Sequence, residues 1–277
     1  MTEAQKHFAV IGHPINHSLS PKIHTYFAKE AGLAISYEAI LSPLDKFNET
    51  LHTLMQKHYG GINVTLPFKK EAYLFSQHHS KEAKIAEAVN TLVFKSGEVT
   101  GHNTDGLGLV GDLTFNLKVT LHQKKILLMG AGGAAEGVIY SLLENKPLQL
   151  TLTNRTIEKS MAIKHKMDEY AEKFHVDLNV IEIKKLAHHY YDVIINATSA
   201  SLHESELHID DKVFHTGSFA YDMMYGKETY FIKKAKSQHA KTSDGLGMLV
   251  EQAAEAFYIW HGIKPDTKSV IDLLSAS

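Results

Sequence analysis

The feature of this sequence that most restricts its fold is a glycine-rich turn between an apolar strand and a helix. Residues 125–135 read Lys-Ile-Leu-Leu-Met-Gly-Ala-Gly-Gly-Ala-Ala, and an apolar helical pattern follows. Gly130 permits a tight turn, Gly132 lets the backbone approach a pyrophosphate, and the small Ala135 allows close packing of the helix on the strand. The segment therefore predicts a Rossmann-like dinucleotide-binding domain, although a tight turn in an unrelated α/β protein is the alternative.

The residues after the next predicted strand, 149–153, indicate which nicotinamide cofactor is bound. An NAD site usually has Asp or Glu at this place, where it binds the ribose hydroxyls. Here Asn154, Arg155 and Thr156 follow the strand, and Lys159 lies one turn further on. A guanidinium and an ammonium attract a 2′-phosphate, which a carboxylate would repel. The sequence favours NADP(H), with a solvated arginine at a helix start as the alternative.

Strands also alternate with helices in the first part of the chain, which predicts an α/β layer architecture there too. The last apolar helix, 245–261, lies beyond the last predicted strand of the dinucleotide unit, so we expect it to pack back on the first unit. We predict two domains: a substrate-binding and catalytic domain of residues 1–104 and 238–277, and a doubly wound NADP domain of residues 105–237.

Composition excludes several classes of function. The 277 residues include 29 Lys and Arg against 31 Asp and Glu, so the formal charge of -2 gives no general attraction to nucleic acid or anionic lipid. The absence of cysteine excludes disulfides, thiolate zinc sites and a cysteine nucleophile. The 19 histidines are scattered without ligand spacing, and no apolar run is typical of a membrane span or a secretory signal. We expect a soluble cytoplasmic protein without a metal site.

Three groups of residues could carry chemistry. Ser18 and Ser20 precede a helix that starts near Pro21, so they form either a carboxylate receptor or, for Ser20, an ordinary N-cap. Lys69 at the start of a predicted helix is either a general acid/base or a surface lysine. Asp105 is either a carboxylate at an interdomain cleft or a helix cap.

Taken together, these segments resemble the shikimate dehydrogenase family. The motifs that carry the resemblance occur in the family's order along most of the chain, at residues 12–21, 63–69, 88–92, 103–106, 130–134, 154–156, 196–199, 221–223 and 244–250. The resemblance implies NADPH-dependent, reversible reduction of 3-dehydroshikimate to shikimate in aromatic amino acid biosynthesis. Its departures are local: residues 196–201 lack a glycine after the serine pair, and residues 225–230 lack a proline.

The resemblance also implies roles for individual residues. Lys69 would be the catalytic acid/base, paired with Asp105, and Ser18 and Ser20 would hold the substrate carboxylate. The residues around the ring hydroxyls and the reacting carbon would be Thr65, Asn90, Asp105, Tyr225 and Gln252. The pyrophosphate would lie on Gly130, Ala131, Gly132, Gly133 and Ala134, the adenosine phosphate on Asn154, Arg155, Thr156 and Lys159, and the nicotinamide beside Thr198, Met223 and Gly245.

Three alternatives remain open. One is a quinate/shikimate dehydrogenase that uses NAD, and Arg155 and Lys159 argue against that cofactor. Another is a non-catalytic NADPH-binding regulator, which would be expected to lose Lys69 or Asp105. The third is a folate dehydrogenase, for which no pterin site is identifiable. We expect a stand-alone monomer or homodimer whose only partners are small molecules.

Overall fold

The computed structural model describes residues 5–198 and 209–276, so Ser199 of the 196–199 motif lies outside the described residues. The described chain divides into two compact units, one of residues 5–108 and 250–276 and one of residues 109–198 and 209–249. Each unit contains one six-stranded sheet. No helix within these ranges combines the length and the apolarity that crossing a membrane requires.

The first unit contains a mixed sheet with helices packed on it. Its elements are β1 (Lys6–Gly12), α1 (Ser20–Glu30), β2 (Ile35–Leu41), α2 (Phe47–Gln56), β3 (Tyr59–Val64), α3 (Lys69–Phe75), β4 (His78–His79), α4 (Lys81–Ala86), β5 (Thr91–Lys95), β6 (Glu98–His102), the start of α5 (Asp105–Gly111) and, from the end of the chain, most of α9 (Leu246–His261) and α10 (Thr267–Ser275). The strand order is β2-β1-β3-β5-β6-β4.

Strand direction in this sheet places several loops at one edge. β1 is parallel to β3, with Ile11 opposite Val64, while β5 is antiparallel to both β3 and β6. The ends of β1, β3 and β6 therefore meet the start of β5. Below that edge the strands pack on α2 and α3, where the rings of Phe47 and Phe68 stack with centroids 4.7 Å apart. The buried core thus leaves the polar strand ends at one rim of the sheet.

The second unit contains an all-parallel sheet of order β12-β11-β10-β7-β8-β9. Its elements are β7 (Lys125–Met129), α6 (Gly133–Glu144), β8 (Gln149–Thr153), α7 (Ile157–Phe174), β9 (Asp177–Val180), β10 (Val193–Asn196), β11 (Phe219–Asp222), α8 (Tyr230–Ser237), β12 (Lys241–Ser243) and the first turn of α9 (Leu246–His261). The chain runs outward from β7 on one side and then from β10 on the other. This reversal of strand order marks the crevice where doubly wound sheets bind ligands.

The predicted fold class is confirmed, including the return of the C-terminal helices to the first unit. The division between the units differs from the predicted boundaries at both crossings. β12 pairs with β11, with Ser243 opposite Tyr221, so residues 238–249 belong to the second unit rather than to the substrate domain. At the other crossing, residues 105–108 stay with the first unit because Asp105 is hydrogen-bonded to Asn90 and Asn103.

Candidate active site

A lysine–aspartate pair lies at the polar edge of the first sheet. Lys69 is the first residue of α3, Asp105 is the first residue of α5, and the Lys69 Nζ donates to Asp105 Oδ2 over 2.6 Å. The two side chains are only 18% and 8% exposed, respectively. A short charge-assisted bond with so little solvent around it fixes the direction of the ammonium. The pair can therefore hold a proton at a defined place, as an acid/base must.

Asn90 holds the other oxygen of this carboxylate. Its Nδ2 donates to Asp105 Oδ1 over 2.9 Å and reaches Gln252 Oε1 at 3.4 Å. Its Oδ1 accepts the backbone N–H of Thr104 at 2.9 Å. The structure thus brings together four of the predicted residues, Lys69, Asp105, Asn90 and Gln252, within one unit.

The predicted carboxylate receptor lies in the loop that follows β1. Ser20 is the first helical residue of α1 behind the N-cap Leu19, whose own side chain makes no capping bond. The alternative that Ser20 is the N-cap is therefore wrong. Ser18 Oγ instead accepts the Ser20 backbone N–H at 3.3 Å. Two hydroxyls beside a helix start are suited to an anion, since hydroxyls can donate to it and the helix dipole favours negative charge there.

Thr65 joins this loop to the end of β3. Its backbone N–H donates to the Ile11 carbonyl over 2.9 Å. A Cβ on Gly12 would lie 2.5 Å from the Thr65 methyl, so glycine is required for this approach. Thr65 therefore lies at the same sheet edge as the serine loop.

The glycine-rich turn of the second unit has the geometry that a bound phosphate needs. Gly130 has φ +116, and a Cβ there would lie 3.0 Å from the Ala197 carbonyl oxygen. Gly132 is the N-cap of α6 without a side-chain capping bond, and a Cβ on Gly132 or Gly133 would meet nothing within 4 Å. The start of this twelve-residue helix thus carries no side-chain cap and has room around its two glycines, which fits a pyrophosphate.

The residues after β8 form an exposed basic turn. Asn154 Nδ2 donates to the Thr156 carbonyl at 2.9 Å and shapes the turn, and Thr156 is the N-cap of α7. Arg155 and Lys159 are exposed, and neither forms an ion pair within residues 5–198 and 209–276. Both cations are therefore available for a phosphate.

Three predicted nicotinamide-side residues follow neighbouring strands. Thr198 Oγ1 donates to Asn196 Oδ1 over 2.7 Å, and the Met223 backbone N–H donates to the Asn196 carbonyl over 3.0 Å. A Cβ on Gly245 would lie 2.3 Å from the Met223 carbonyl oxygen. The ends of β10, β11 and β12 are thus packed closely together.

Tyr225, which was predicted to bind the substrate, belongs to this second unit and is partly exposed, and burial raises the pKa of its hydroxyl.

Several polar residues that support the lysine–aspartate pair were not predicted as site residues. Asn103 Oδ1 accepts the Asp105 backbone N–H, and a second, buried group consists of Tyr37, Asn63, Thr91 and Thr104. The signal available in the sequence was a polar side chain within an otherwise apolar strand, as at Asn63 in Gly-Ile-Asn-Val. Such a residue needs a hydrogen-bond partner once it is buried.

Comparison with known proteins gives consistent results along the chain. Three family models match: the shikimate dehydrogenase substrate binding domain at residues 10–92, shikimate / quinate 5-dehydrogenase at residues 113–208, and the shikimate 5′-dehydrogenase C-terminal domain at residues 245–274. A shikimate dehydrogenase (NADP(+)) of Methylobacillus flagellatus is 47% identical over 98% of this chain and 99% of its own length.

Two solved structures resemble this chain over nearly its whole length. The crystal structure of an Ael1 enzyme from Pseudomonas putida is 38% identical, with a TM-score of 0.92 and 98% of each chain covered. A shikimate 5-dehydrogenase from Thermus thermophilus, in complex with NADP(H) and shikimate, is 31% identical with a TM-score of 0.86, over 97% of this chain and 98% of that one.

Proposed function

Because this chain belongs to the shikimate dehydrogenase family, we propose that it interconverts 3-dehydroshikimate and shikimate with NADP(H), using Lys69 as the acid/base. The observation that carries the assignment of roles is the 2.6 Å bond from Lys69 Nζ to Asp105 Oδ2 at a nearly buried position. A positioned ammonium of this kind supplies what the reduction of a ketone requires.

NADPH supplies the hydride to the carbonyl carbon of the substrate when it is bound. Negative charge then develops on the carbonyl oxygen, and the Lys69 ammonium stabilises this charge and donates its proton to form the hydroxyl. In the reverse direction, the neutral Lys69 amine accepts the hydroxyl proton. Asp105 keeps the amine in place throughout and accepts a hydrogen bond from a substrate hydroxyl.

The remaining predicted residues bind and orient the two molecules. Ser18 and Ser20 hold the substrate carboxylate at the start of α1. The hydroxyls of the ring are bound by Thr65, Asn90, Gln252 and Tyr225. The uncapped start of α6 holds the pyrophosphate, while Arg155 and Lys159 bind the 2′-phosphate and Thr198, Met223 and Gly245 line the nicotinamide.

We place the enzyme in the cytoplasm, in aromatic amino acid biosynthesis, as a monomer or homodimer. Its partners are the small-molecule substrate and cofactor. The near-neutral formal charge of -2 supports this, because it gives no general attraction to nucleic acid or anionic lipid.

The experiment that tests this function measures initial rates from the absorbance of reduced nicotinamide. Shikimate and quinate are each oxidised with NADP+ and with NAD+. We expect shikimate with NADP+ to give the highest kcat/KM. Equal efficiency with NAD+ would contradict the role of Arg155, a preference for quinate would favour the quinate/shikimate enzyme, and no turnover of either acid would favour the non-catalytic regulator.

A further inference from the structure

A buried chain of hydrogen bonds runs from Tyr37 on β2 to the carboxylate of Asp105. Tyr37 donates to Asn63 Oδ1 over 2.6 Å, and Asn63 Nδ2 donates to Thr91 Oγ1 over 3.0 Å. Thr91 then donates to Asn90 Oδ1 over 3.1 Å, and Asn90 Nδ2 donates to Asp105 Oδ1 over 2.9 Å. All five residues are buried, and neither Tyr37, Asn63 nor Thr91 has a part in the proposed reaction.

The first half of this chain has only one possible direction. Asn63 Nδ2 also faces the backbone carbonyl of Asn90 at 3.2 Å, and a carbonyl can only accept. A flipped Asn63 amide would place two oxygens against each other, so its Oδ1 must face Tyr37. The Tyr37 hydroxyl must therefore donate. Burial raises the pKa of Tyr37 well above its usual range, so the proton needed for this bond is retained.

The second half follows from the first. Thr91 has one hydroxyl proton and, after accepting from Asn63, gives it to Asn90 Oδ1. The Thr104 backbone N–H donates to the same Oδ1, so the Asn90 amide is fixed with its Nδ2 towards Asp105. Asp105 consequently meets a donor at each oxygen, from Asn90 at one and from Lys69 at the other.

The ring of Tyr37 is held independently of its hydroxyl. It stacks on the His24 ring with centroids 4.3 Å apart and an interplanar angle of 5°. Removing only the hydroxyl therefore leaves the aromatic packing in place and interrupts the hydrogen-bond chain at Tyr37. The same change removes a side-chain hydrogen bond with Ser20, so kcat, rather than KM for shikimate, reports on the route through Asn90.

We propose that Tyr37 and Thr91 are positioning residues, which act through Asn90 to keep Asp105 and Lys69 in the orientation that the reaction needs. The inference rests on the proposed function of Lys69 as acid/base. Neither residue is catalytic in the strict sense, because both act through another side chain.

Four variants test the proposal: Tyr37→Phe, Thr91→Val, Thr91→Ser and, as the matched control, Tyr59→Phe. Tyr59 lies on β3 of the same sheet, and its hydroxyl donates a hydrogen bond to Glu38, which is not a member of the hydrogen-bond chain. We measure kcat and KM for shikimate, the NADP+ dissociation constant and Tm.

We expect kcat to fall about tenfold in Tyr37→Phe and in Thr91→Val, because each leaves a buried hydrogen-bonding group unpaired. Thr91→Ser, which keeps the hydroxyl, and Tyr59→Phe should keep kcat within about twofold. The NADP+ dissociation constant should not change, since the predicted phosphate-binding residues lie in the other unit. The double variant Tyr37→Phe/Thr91→Val should be no slower than the slower single variant, because both changes interrupt one chain.

The proposal is overturned if Tyr37→Phe and Thr91→Val lower Tm but keep the kcat of the unmodified enzyme. It is also overturned if kcat falls as much in Thr91→Ser as in Thr91→Val. Should Thr91→Val not fold, the comparison of Tyr37→Phe with Tyr59→Phe decides the matter. A Lys69→Ala variant separates the two hypotheses. If Lys69→Ala retains turnover, the proposed role of Lys69 fails. If Lys69→Ala loses turnover while Tyr37→Phe keeps its kcat, only the positioning role of Tyr37 is refuted.

Discussion

Replacing His24 by phenylalanine should remove part of the acid sensitivity of folding. His24 lies on α1 and is completely buried among the rings of Phe27, Tyr37 and Trp260. Within the described parts of the chain neither ring nitrogen has a partner in good hydrogen-bond geometry, and the side chain of Asn63 opposes the effect of burial only in part. Burial, and next the nearby His261, lower the pKa of His24 from 6.5 to about 3.

The size of the effect follows from this difference in pKa. The folded chain binds fewer protons at His24 than the unfolded chain, so the stability is complete above pH 6.5 and falls as the pH drops from 6.5 towards 3. The loss is about 1.4 kcal/mol for each pH unit. Between pH 7.5 and pH 5, the free energy of unfolding should therefore decrease by about 2 kcal/mol through His24 alone.

Urea unfolding at pH 7.5 and pH 5 measures this quantity. Trp260 is the only tryptophan, and its ring centroid lies 5.3 Å from that of His24, so its fluorescence reports on this cluster. The loss of stability on acidification should be about 2 kcal/mol smaller in His24→Phe than in the unmodified protein. His261, with its pKa lowered by burial to about 4, contributes in both.

His165→Phe, which changes an exposed histidine on α7, controls for the loss of a histidine as such and should not alter the acid sensitivity. If His24→Phe loses as much stability on acidification as the unmodified protein, the reasoning about buried His24 is refuted.

Two further predictions concern the cofactor. In Gly245→Ala, the new Cβ would lie 2.3 Å from the Met223 carbonyl oxygen, so the backbone at the predicted nicotinamide site must shift. The kcat/KM for NADP+ should therefore fall about tenfold, and an unchanged value would contradict the packing argument. In Arg155→Ala, the dissociation constant of NADP+, measured by fluorescence titration, should rise about tenfold while that of NAD+ stays the same; an equal rise for both would refute a contact with the 2′-phosphate.

Strong local patterns made much of the second unit predictable. From its apolar runs and helical spacing, the sequence predicts strands at 125–129, 149–153 and 193–196 and a helix at 157–174, and these elements have the same bounds in the structure. Each strand coincides with an apolar or alternating run of residues, and the long helix repeats its apolar residues at helical spacing. Local chemistry and tertiary structure agree at these places.

The edge strand β12 was not predictable in this way. Its residues, Lys-Thr-Ser, carry no apolar pattern, and it is a strand because β11 offers it unpaired backbone groups. Its place in the second sheet is a tertiary effect, and for that reason the predicted domain boundary at residue 238 differs from the observed one.

The lysine–aspartate pair shows a similar limit within the candidate site. Neither Lys69 nor Asp105 is distinctive locally, and they meet because the antiparallel β5–β6 hairpin returns the chain to the edge where β3 ends. Only the family resemblance connected the two residues in advance. The supporting chain from Tyr37 was not predicted, since its members become partners only through strand register.

The most direct test of the account is the turnover of Lys69→Ala, measured together with shikimate affinity and Tm. Without the acid/base, kcat for shikimate oxidation should fall about 10²–10⁴-fold, while the dissociation constant for shikimate changes only slightly. Tm shows whether the buried Asp105, left without its cation, still permits folding. A folded Lys69→Ala enzyme with undiminished kcat would contradict the assignment of Lys69 as the group that gives and takes the proton.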